Sequence, residues 1–335
     1  MMNSSTSSSS PHAEKRRGHW WRQSRDIFGA VAAIALLELG LHVGVSKLGL
    51  RNLAAFKMEE GLALRAGTID MAIETAERSG DLQAALIGSS MLNDIEPEAL
   101  SKQLDGSPTE KFTLVGANSR GSSLMLENVV LPNLKTDWVV YMVSPHDVNG
   151  RSPVEERNVS IPGLDAYAEN KFVYKLSRAV ETNLYLFRYR RPIVQLLPNA
   201  GSIREVMKRR SSAPEPAVEM PYEFATYTEF ETASRFWGDL AHIYQLSQEN
   251  DARLLVLAVP TNPSAEVTYE AFQAGAEDWL ESLQAFADER DFVVVDGFEL
   301  LDSPSQYRDT HHLSEEGARI VTESLSEAIR EASEK

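Results

Sequence analysis

The sequence predicts an α/β protein: a three-layer α/β/α sandwich around a five-stranded parallel sheet, preceded by a transmembrane helix. Three observations support this prediction. Five short runs after residue 80 are almost continuously apolar, which is typical of strands buried on both faces of a sheet. Helical patterns separate these runs, and strands that alternate with helices form parallel sheets. Near the N-terminus, twenty mostly apolar residues have the length of a membrane span.

The strands and helices alternate along residues 81–335. The predicted strands are Ala84 to Ile87, Phe112 to Val115, Trp138 to Val143, Leu254 to Val259 and Phe292 to Val295. The predicted helices are Pro97 to Leu104, Ser122 to Leu134, Phe236 to Gln248, Tyr269 to Glu289 and Ser314 to Glu334. The third and fourth strands are much further apart than one crossover helix requires, which indicates an insertion at about 150–235.

The N-terminal region predicts a membrane anchor. Residues 1–26 form a Ser-rich, then basic, cytoplasmic tail that we expect to be disordered, and residues 27–46 form the apolar span. A helix over 47–80 then links the span to the domain at 81–335. This arrangement implies a single-pass protein of the bacterial cytoplasmic membrane with its domain on the outer side. A cleaved signal peptide is one alternative, but no clear cleavage site follows the span. A buried soluble helix is the other, because ionisable residues interrupt the span.

Those ionisable residues are Glu38 and His42, which are four apart and therefore share one helix face. Ionisable groups within a bilayer usually face protein or water. The pair therefore predicts contact with a membrane-protein partner.

Composition narrows the function classes. The net charge of −16 argues against binding of nucleic acid, because phosphate contacts need an excess of Lys and Arg. The absence of cysteine excludes disulfides, thiol catalysis and cysteine-bound zinc. No motif predicts a cofactor. The insertion contains a basic cluster that is either a solvated loop or a lid for an anionic glycan or lipid headgroups. Its members are Arg188, Arg190, Arg191, Arg204, Lys208, Arg209 and Arg210.

Candidate catalytic residues lie at the two ends of the domain. Ser89 and Ser90 directly follow the first strand, and a serine at a tight strand-to-helix turn exposes its hydroxyl at the sheet edge. Asp309 and His312 are three residues apart, so one turn can direct both to the same place. The carboxylate can then orient the imidazole, which can accept the serine proton. The alternatives are a helix-capping serine and a capping Asp beside a surface His.

The order of these motifs resembles that of the SGNH/GDSL hydrolase family over about residues 81–335. Gly88 and Ser90 match the first block, with Ser89 where the family usually has Asp, and Gly121 matches the second. Asp309 and His312 match the last block. The resemblance implies a flavodoxin-like sheet, a Ser90–His312–Asp309 triad, and Ser90 and Gly121 as backbone oxyanion donors. It assigns the base to His312, with Ser314 as the N-cap of the final helix, and leaves His311 outside the triad.

The third block departs from the family pattern. The family has Gly-x-Asn-Asp there, whereas this chain has Ser144-Pro145-His146-Asp147. His146 occupies the position of the oxyanion-binding Asn and could donate from its ring; Asn118 or Asn149 could substitute for it.

The resemblance implies a serine esterase or O-acyltransferase that acts on acylated carbohydrate of the cell envelope or on a related ester. The alternative is a non-catalytic accessory protein that binds glycan or a membrane partner. A metal site is a further, weaker interpretation, because no trusted metal motif matches the possible ligands. Those ligands would be His146, Asp147, Asp309, His311 and His312.

Overall fold

The computed structural model describes residues 32–40, 54–151, 161–183, 229–264 and 270–334. The chain divides into two compact units, residues 1–61 with 176–212, and residues 62–175 with 213–335. The second unit contains the sheet and all the candidate catalytic residues.

The sheet has five parallel strands in the order β2-β1-β3-β4-β5, as the sequence predicts. The strands are β1 (Leu82–Gly88), β2 (Thr109–Thr113), β3 (Thr136–Val143), β4 (Arg253–Ala258) and β5 (Val293–Asp296). The strand order reverses beside β1, so β1 and β3 end at the centre of the carboxyl edge. In open α/β sheets this switch point is where ligands bind.

Helices connect the strands and flank the domain. They are α1 (Ala54–Arg78), α2 (Pro97–Gln103), α3 (Ser119–Met125), α4 (Pro145–Val148), α5 (Pro162–Glu169), α6 (Lys171–Asn183), α7 (Phe236–Glu249), α8 (Glu270–Asp288), α9 (Gly297–Leu300) and α10 (Glu315–Ser333). Two short 3₁₀-helices, Ser90–Asp94 and Pro304–Gln306, also lie in the described part.

Successive residues of the central strands enter two separate hydrophobic cores, because strand side chains alternate between the two faces of a sheet. Val139 and Tyr141 of β3 pack into the core that also contains residues of α1, α3, α5, α7 and α8. Val140 and Met142 pack into the opposite core with residues of α2 and α10. The three-layer α/β/α prediction is therefore confirmed, and both cores hold the sheet edge at Gly88 in place.

Two predicted elements differ from the observed ones. β2 begins at Thr109 and not at Phe112, because this edge strand is only half buried and carries the polar sequence TEKFT. The apolar residues after it belong to the turn, where the Leu114 N–H donates to Gly88 O at 3.1 Å. The helix predicted from Ser122 to Leu134 is α3 followed by a π-helical turn, Leu126–Val130.

The N-terminal predictions fall mostly outside the described residues. Residues 32–40 of the predicted span are helical, and none of the helices described is long and apolar enough to cross a membrane. Glu38 lies in that stretch, whereas His42 lies outside the described residues. Helix α1 falls within the predicted linker, and its Ile69 and Ile73 are buried. The basic cluster of the insertion also lies outside the described residues.

Candidate active site

The nucleophile turn lies at the carboxyl end of β1. Gly88 closes the strand against β3, where a Cβ atom would stand 2.8 Å from Met142 O, so only glycine fits without a shift of the backbone. Ser89 is the N-cap of the 3₁₀-helix, and Ser90 is its first residue. The first N–H groups of a helix have no acceptor within it. The Ser90 N–H therefore has no acceptor within this helix.

The two adjacent serines have different partners. Ser90 Oγ lies 3.1 Å from His312 Nε2. Ser89 Oγ instead donates to Asp147 Oδ2 at 3.1 Å, and Ser89 is buried. Ser90 therefore has the histidine contact expected of a nucleophile, whereas Ser89 joins the first block to the third.

Asp309 orients the His312 ring. His312 Nδ1 lies 2.9 Å from Asp309 Oδ2 and 3.1 Å from Oδ1, and the His312 backbone N–H donates to Oδ1 at 2.8 Å. A proton on Nδ1 leaves Nε2 as an acceptor for the Ser90 hydroxyl. Partial burial would raise the pKa of the Asp309 carboxyl, but hydrogen bonds from His312 and from the His311 N–H outweigh it and hold that pKa below its usual range. The carboxylate is therefore charged at neutral pH.

His311 contacts other residues beside the triad. Its Nδ1 pairs with Thr310 Oγ1 at 2.8 Å, and its ring stacks on that of His146 at a centroid distance of 4.7 Å. Burial lowers the pKa of His146 to about 4, and the neighbouring His312 also lowers it. Burial, together with His146 and His312, lowers the pKa of His311 to about 3. Both rings are therefore neutral at physiological pH and form one uncharged wall beside His312.

The third block forms a capped turn after β3. Ser144 is the N-cap of α4, and its Oγ donates to Asp147 Oδ2 at 3.1 Å. The same carboxylate oxygen accepts from Ser89, which joins the third block to the nucleophile turn. Burial raises the pKa of the Asp147 carboxyl to about 7, against the lowering effect of the hydrogen bonds from Ser144 and Ser89. Asp147 thus points into the interior and not toward His312.

The other predicted oxyanion donors are engaged in folding contacts. The Gly121 N–H donates to Asn118 Oδ1 at 3.1 Å, because Asn118 is the N-cap of α3. Asn149 Nδ2 donates to Glu229 O at 2.9 Å, and its Oδ1 accepts from Glu231 N. The role of Gly121 in oxyanion binding stays a prediction, and it requires the Asn118 contact to open.

Two residues of the site were not predicted from the sequence. Asn262, in the loop after β4, donates from Nδ2 to Asp309 O at 3.0 Å. Asp94 accepts from the Leu313 N–H at 3.0 Å and pairs with Arg308 at 2.9 Å. The only available signal for Asn262 is its place in the polar loop three residues after the apolar run that ends at Val259. Asp94 stands in the run SMLNDI, where a carboxylate among apolar neighbours is a comparable signal.

The metal interpretation fits the geometry less well than the triad. Ligand atoms of Asp309, His311 and His312 lie within 4.8 Å of one another. Both ring nitrogens of His312 are already engaged, however, with Asp309 and Ser90. Asp147 is bound to Ser89 instead of facing this group.

Comparison with known proteins finds solved structures with low similarity to this chain. No protein-family profile and no curated protein matches the chain. A GDSL-like lipase from Bacteroides thetaiotaomicron is 12% identical over 82% of this chain and 98% of its own, with a TM-score of 0.41. The acetylxylan esterase Axe2 from Geobacillus stearothermophilus is 11% identical over 75% and 95%, with a TM-score of 0.41.

A member of the lipolytic G-D-S-L family from Veillonella parvula is 10% identical over 74% of this chain and 97% of its own, with a TM-score of 0.38. These structures are a GDSL-like lipase, an acetylxylan esterase and a lipolytic G-D-S-L protein. At these identities and TM-scores the similarity carries no argument about this chain. The chemistry of the site rests on its own residues.

Proposed function

We propose that the protein is a serine-dependent ester hydrolase or O-acyltransferase of the SGNH type. The observation that supports this most strongly is the continuous chain of contacts from Ser90 Oγ to His312 Nε2 and from His312 Nδ1 to Asp309. Ser90 and His312 are 222 residues apart in the sequence, so their contact does not follow from local structure. A capping serine or a solvated surface histidine would not require it.

In the proposed reaction, Ser90 Oγ attacks the acyl carbonyl carbon while its proton moves to His312 Nε2. Asp309 stabilises the imidazolium that forms. The electron pair of the carbonyl moves to oxygen, and the Ser90 N–H donates to this oxyanion. When the tetrahedral intermediate collapses, the alcohol leaves with the proton from His312, and an acyl-serine remains. A second nucleophile then gives its proton to His312 and attacks the acyl carbon. When the acyl–Ser90 bond breaks, His312 returns this proton to Ser90 Oγ.

The second nucleophile is either water, which makes the protein a hydrolase, or a sugar hydroxyl, which makes it an acyltransferase. The same residues serve both reactions, because both pass through the acyl-serine. The proposed substrate is an acylated cell-envelope carbohydrate or a related ester, and this part of the proposal rests on the sequence resemblance.

A non-catalytic accessory role is the second candidate. The third block favours it, since His146 replaces the family's Asn there and the amide of Asn149 is bound to Glu229 O. Loss of one oxyanion donor typically lowers turnover by about 10²–10³-fold. Such a protein would keep the fold and the binding surface without efficient turnover.

Labelling with a serine-directed fluorophosphonate distinguishes the two candidates, because it needs an activated serine and no knowledge of the substrate. We expect the wild-type protein to be labelled and Ser90→Ala not to be. Ser89→Ala is the matched control: it removes the neighbouring hydroxyl and should retain labelling within several-fold. Equal behaviour of the two variants, or a wild-type protein that does not react, would contradict the proposed catalytic role.

The proposed location is the bacterial cytoplasmic membrane, with the domain on its outer side. The apolar segment 27–46 and the basic residues before it support this proposal. A reporter that is active only outside the cytoplasm, fused after Lys335, should be active, and the protein should stay with the membrane through a high-salt wash. Release of a shortened soluble chain would show that the segment is a cleaved signal.

A further inference from the structure

The proposed base and its carboxylate lie on one short hairpin, residues 307–313. Tyr307 and Leu313 form an antiparallel bridge at its base, and the Arg308 N–H donates to His312 O at 3.0 Å. Asp309 and His312 lie closer to the tip. Their mutual contact is therefore internal to the hairpin. The contact of His312 with Ser90 is not internal, and its length depends on how the hairpin is held against the nucleophile turn.

Asp94 holds the two arms of the hairpin with one carboxylate. Its Oδ2 accepts from the Leu313 N–H at 3.0 Å on one arm. Its Oδ1 pairs with the Arg308 guanidinium at 2.9 Å on the other. The Asp94 side chain is only 7% exposed, so water competes little for either contact, whereas Arg308 is half exposed. A carboxylate buried this far needs such partners, because an unpaired buried charge is strongly unfavourable.

Asp94 and Ser90 belong to the same element. They are the last and first residues of the 3₁₀-helix Ser90–Asp94. The tip of the hairpin is held separately by the loop after β4, where Asn262 contacts Asp309 O and Thr310 O. Apart from the His312–Ser90 contact itself, the Asp94 contacts are the polar contacts described between the hairpin and the helix that also presents the nucleophile. A shift of that helix therefore moves Ser90 and the base of the hairpin together.

We propose that Asp94 is a positioning residue that sets the distance between Ser90 Oγ and His312 Nε2. It does so by binding both arms of the 307–313 hairpin to the 3₁₀-helix Ser90–Asp94. This inference rests on the proposed function, since it concerns the geometry of that same triad. A displacement of about 1 Å between reacting groups can lower a rate by about 10²-fold. Loss of Asp94 should accordingly reduce the activation of Ser90 without breaking the Asp309–His312 pair.

The test measures the rate of fluorophosphonate labelling in the full-length protein. Asp94→Leu removes both contacts and should label about 10–100-fold more slowly than the wild type. Asp94→Asn keeps an acceptor for the Leu313 N–H but loses the charge facing Arg308. Its labelling rate should therefore lie between those of Asp94→Leu and the wild type. Glu96→Gln is the matched control, because Glu96 is an exposed carboxylate that lines the same surface groove as Asp94 and Arg308. Its rate should equal that of the wild type.

A double-variant comparison separates positioning from loss of fold. In a His312→Ala background, Asp94→Leu should have no further effect, because no base remains to be positioned.

Wild-type labelling in Asp94→Leu would overturn the inference. So would a fall by the same factor in the His312→Ala background, which would indicate a general loss of structure. A wild-type protein that is not labelled, or labelling that does not depend on His312, would overturn the proposed function itself and the inference with it.

Discussion

Asp309 and His312 lie on one hairpin, and His312 contacts Ser90 directly, whereas the groups predicted to bind the oxyanion come from three separate segments of the chain. The acid–base half of the site has its reacting atoms in contact, with 3.1 Å between Ser90 Oγ and His312 Nε2. In the other half, the Gly121 N–H donates to the helix-capping Asn118 and the Asn149 amide donates to Glu229 O. The acid–base half is complete without substrate, but the oxyanion half depends on contacts that also maintain the fold.

The largest expected effect separates the two adjacent histidines of the acid–base half. His312→Ala should lower esterase activity or labelling by about 10⁴-fold or more, as when a triad base is removed. His311→Ala is the control and should lose far less, because His311 pairs with Thr310 and stacks on His146, and the ring that pairs with Ser90 Oγ is that of His312. Steady-state kinetics on a chromogenic acetyl ester measures both. An active His312→Ala enzyme would remove the catalytic assignment altogether.

A smaller effect is expected in the oxyanion half. If the His146 ring donates to the oxyanion, His146→Ala should lower kcat by about 10²-fold, the usual result of losing one such donor. His146→Asn is the variant for comparison, since it places an amide where the SGNH/GDSL family has one. It should retain more activity than His146→Ala. A kcat within a few-fold of wild type in His146→Ala would show that Ser90 and Gly121 suffice, or that another group donates.

The smallest effect concerns stability and not turnover. The pKa of Asp147 is about 7 in the folded protein, above the usual carboxyl value of 3.8. Protonation therefore favours the folded state. The resulting stabilisation is fully present below about pH 4 and is lost as the pH rises through about 7. The unfolding free energy of the wild type, relative to Asp147→Asn, should fall by on the order of 2–4 kcal/mol between pH 4 and 8.

Chemical unfolding at several pH values measures this difference. His146 and His311 titrate in the opposite sense: their folded pKa values lie below 6.5, so their contribution is lost as the pH falls from about 6.5. Because both variants contain these histidines, their effect cancels in the difference. A difference that does not change with pH would show that the Asp147 carboxyl is ionised throughout.

The sequence alone determined the sheet, its flanking helices and the chemistry of the triad. Strands buried on both faces are continuously apolar, so the runs at Trp138 and Leu254 indicated parallel strands without any tertiary information. The spacing of Asp309 and His312 is equally local, because one tight turn fixes both side chains. The predicted N-cap of the last helix is also confirmed, since Ser314 Oγ accepts from the Gly317 N–H at 3.3 Å.

Only the tertiary structure decided which other groups surround the triad. Asp94 accepts from the N–H of Leu313, which lies 219 residues further along the chain. No local pattern encodes such a pairing. The same holds for Ser89, which fills the position of the family's Asp and is bound to Asp147 across the sheet edge. The identity of the oxyanion donors also depends on the tertiary structure. A backbone N–H has no sequence signature, and whether it faces a cleft or a helix cap depends on how separate loops pack together.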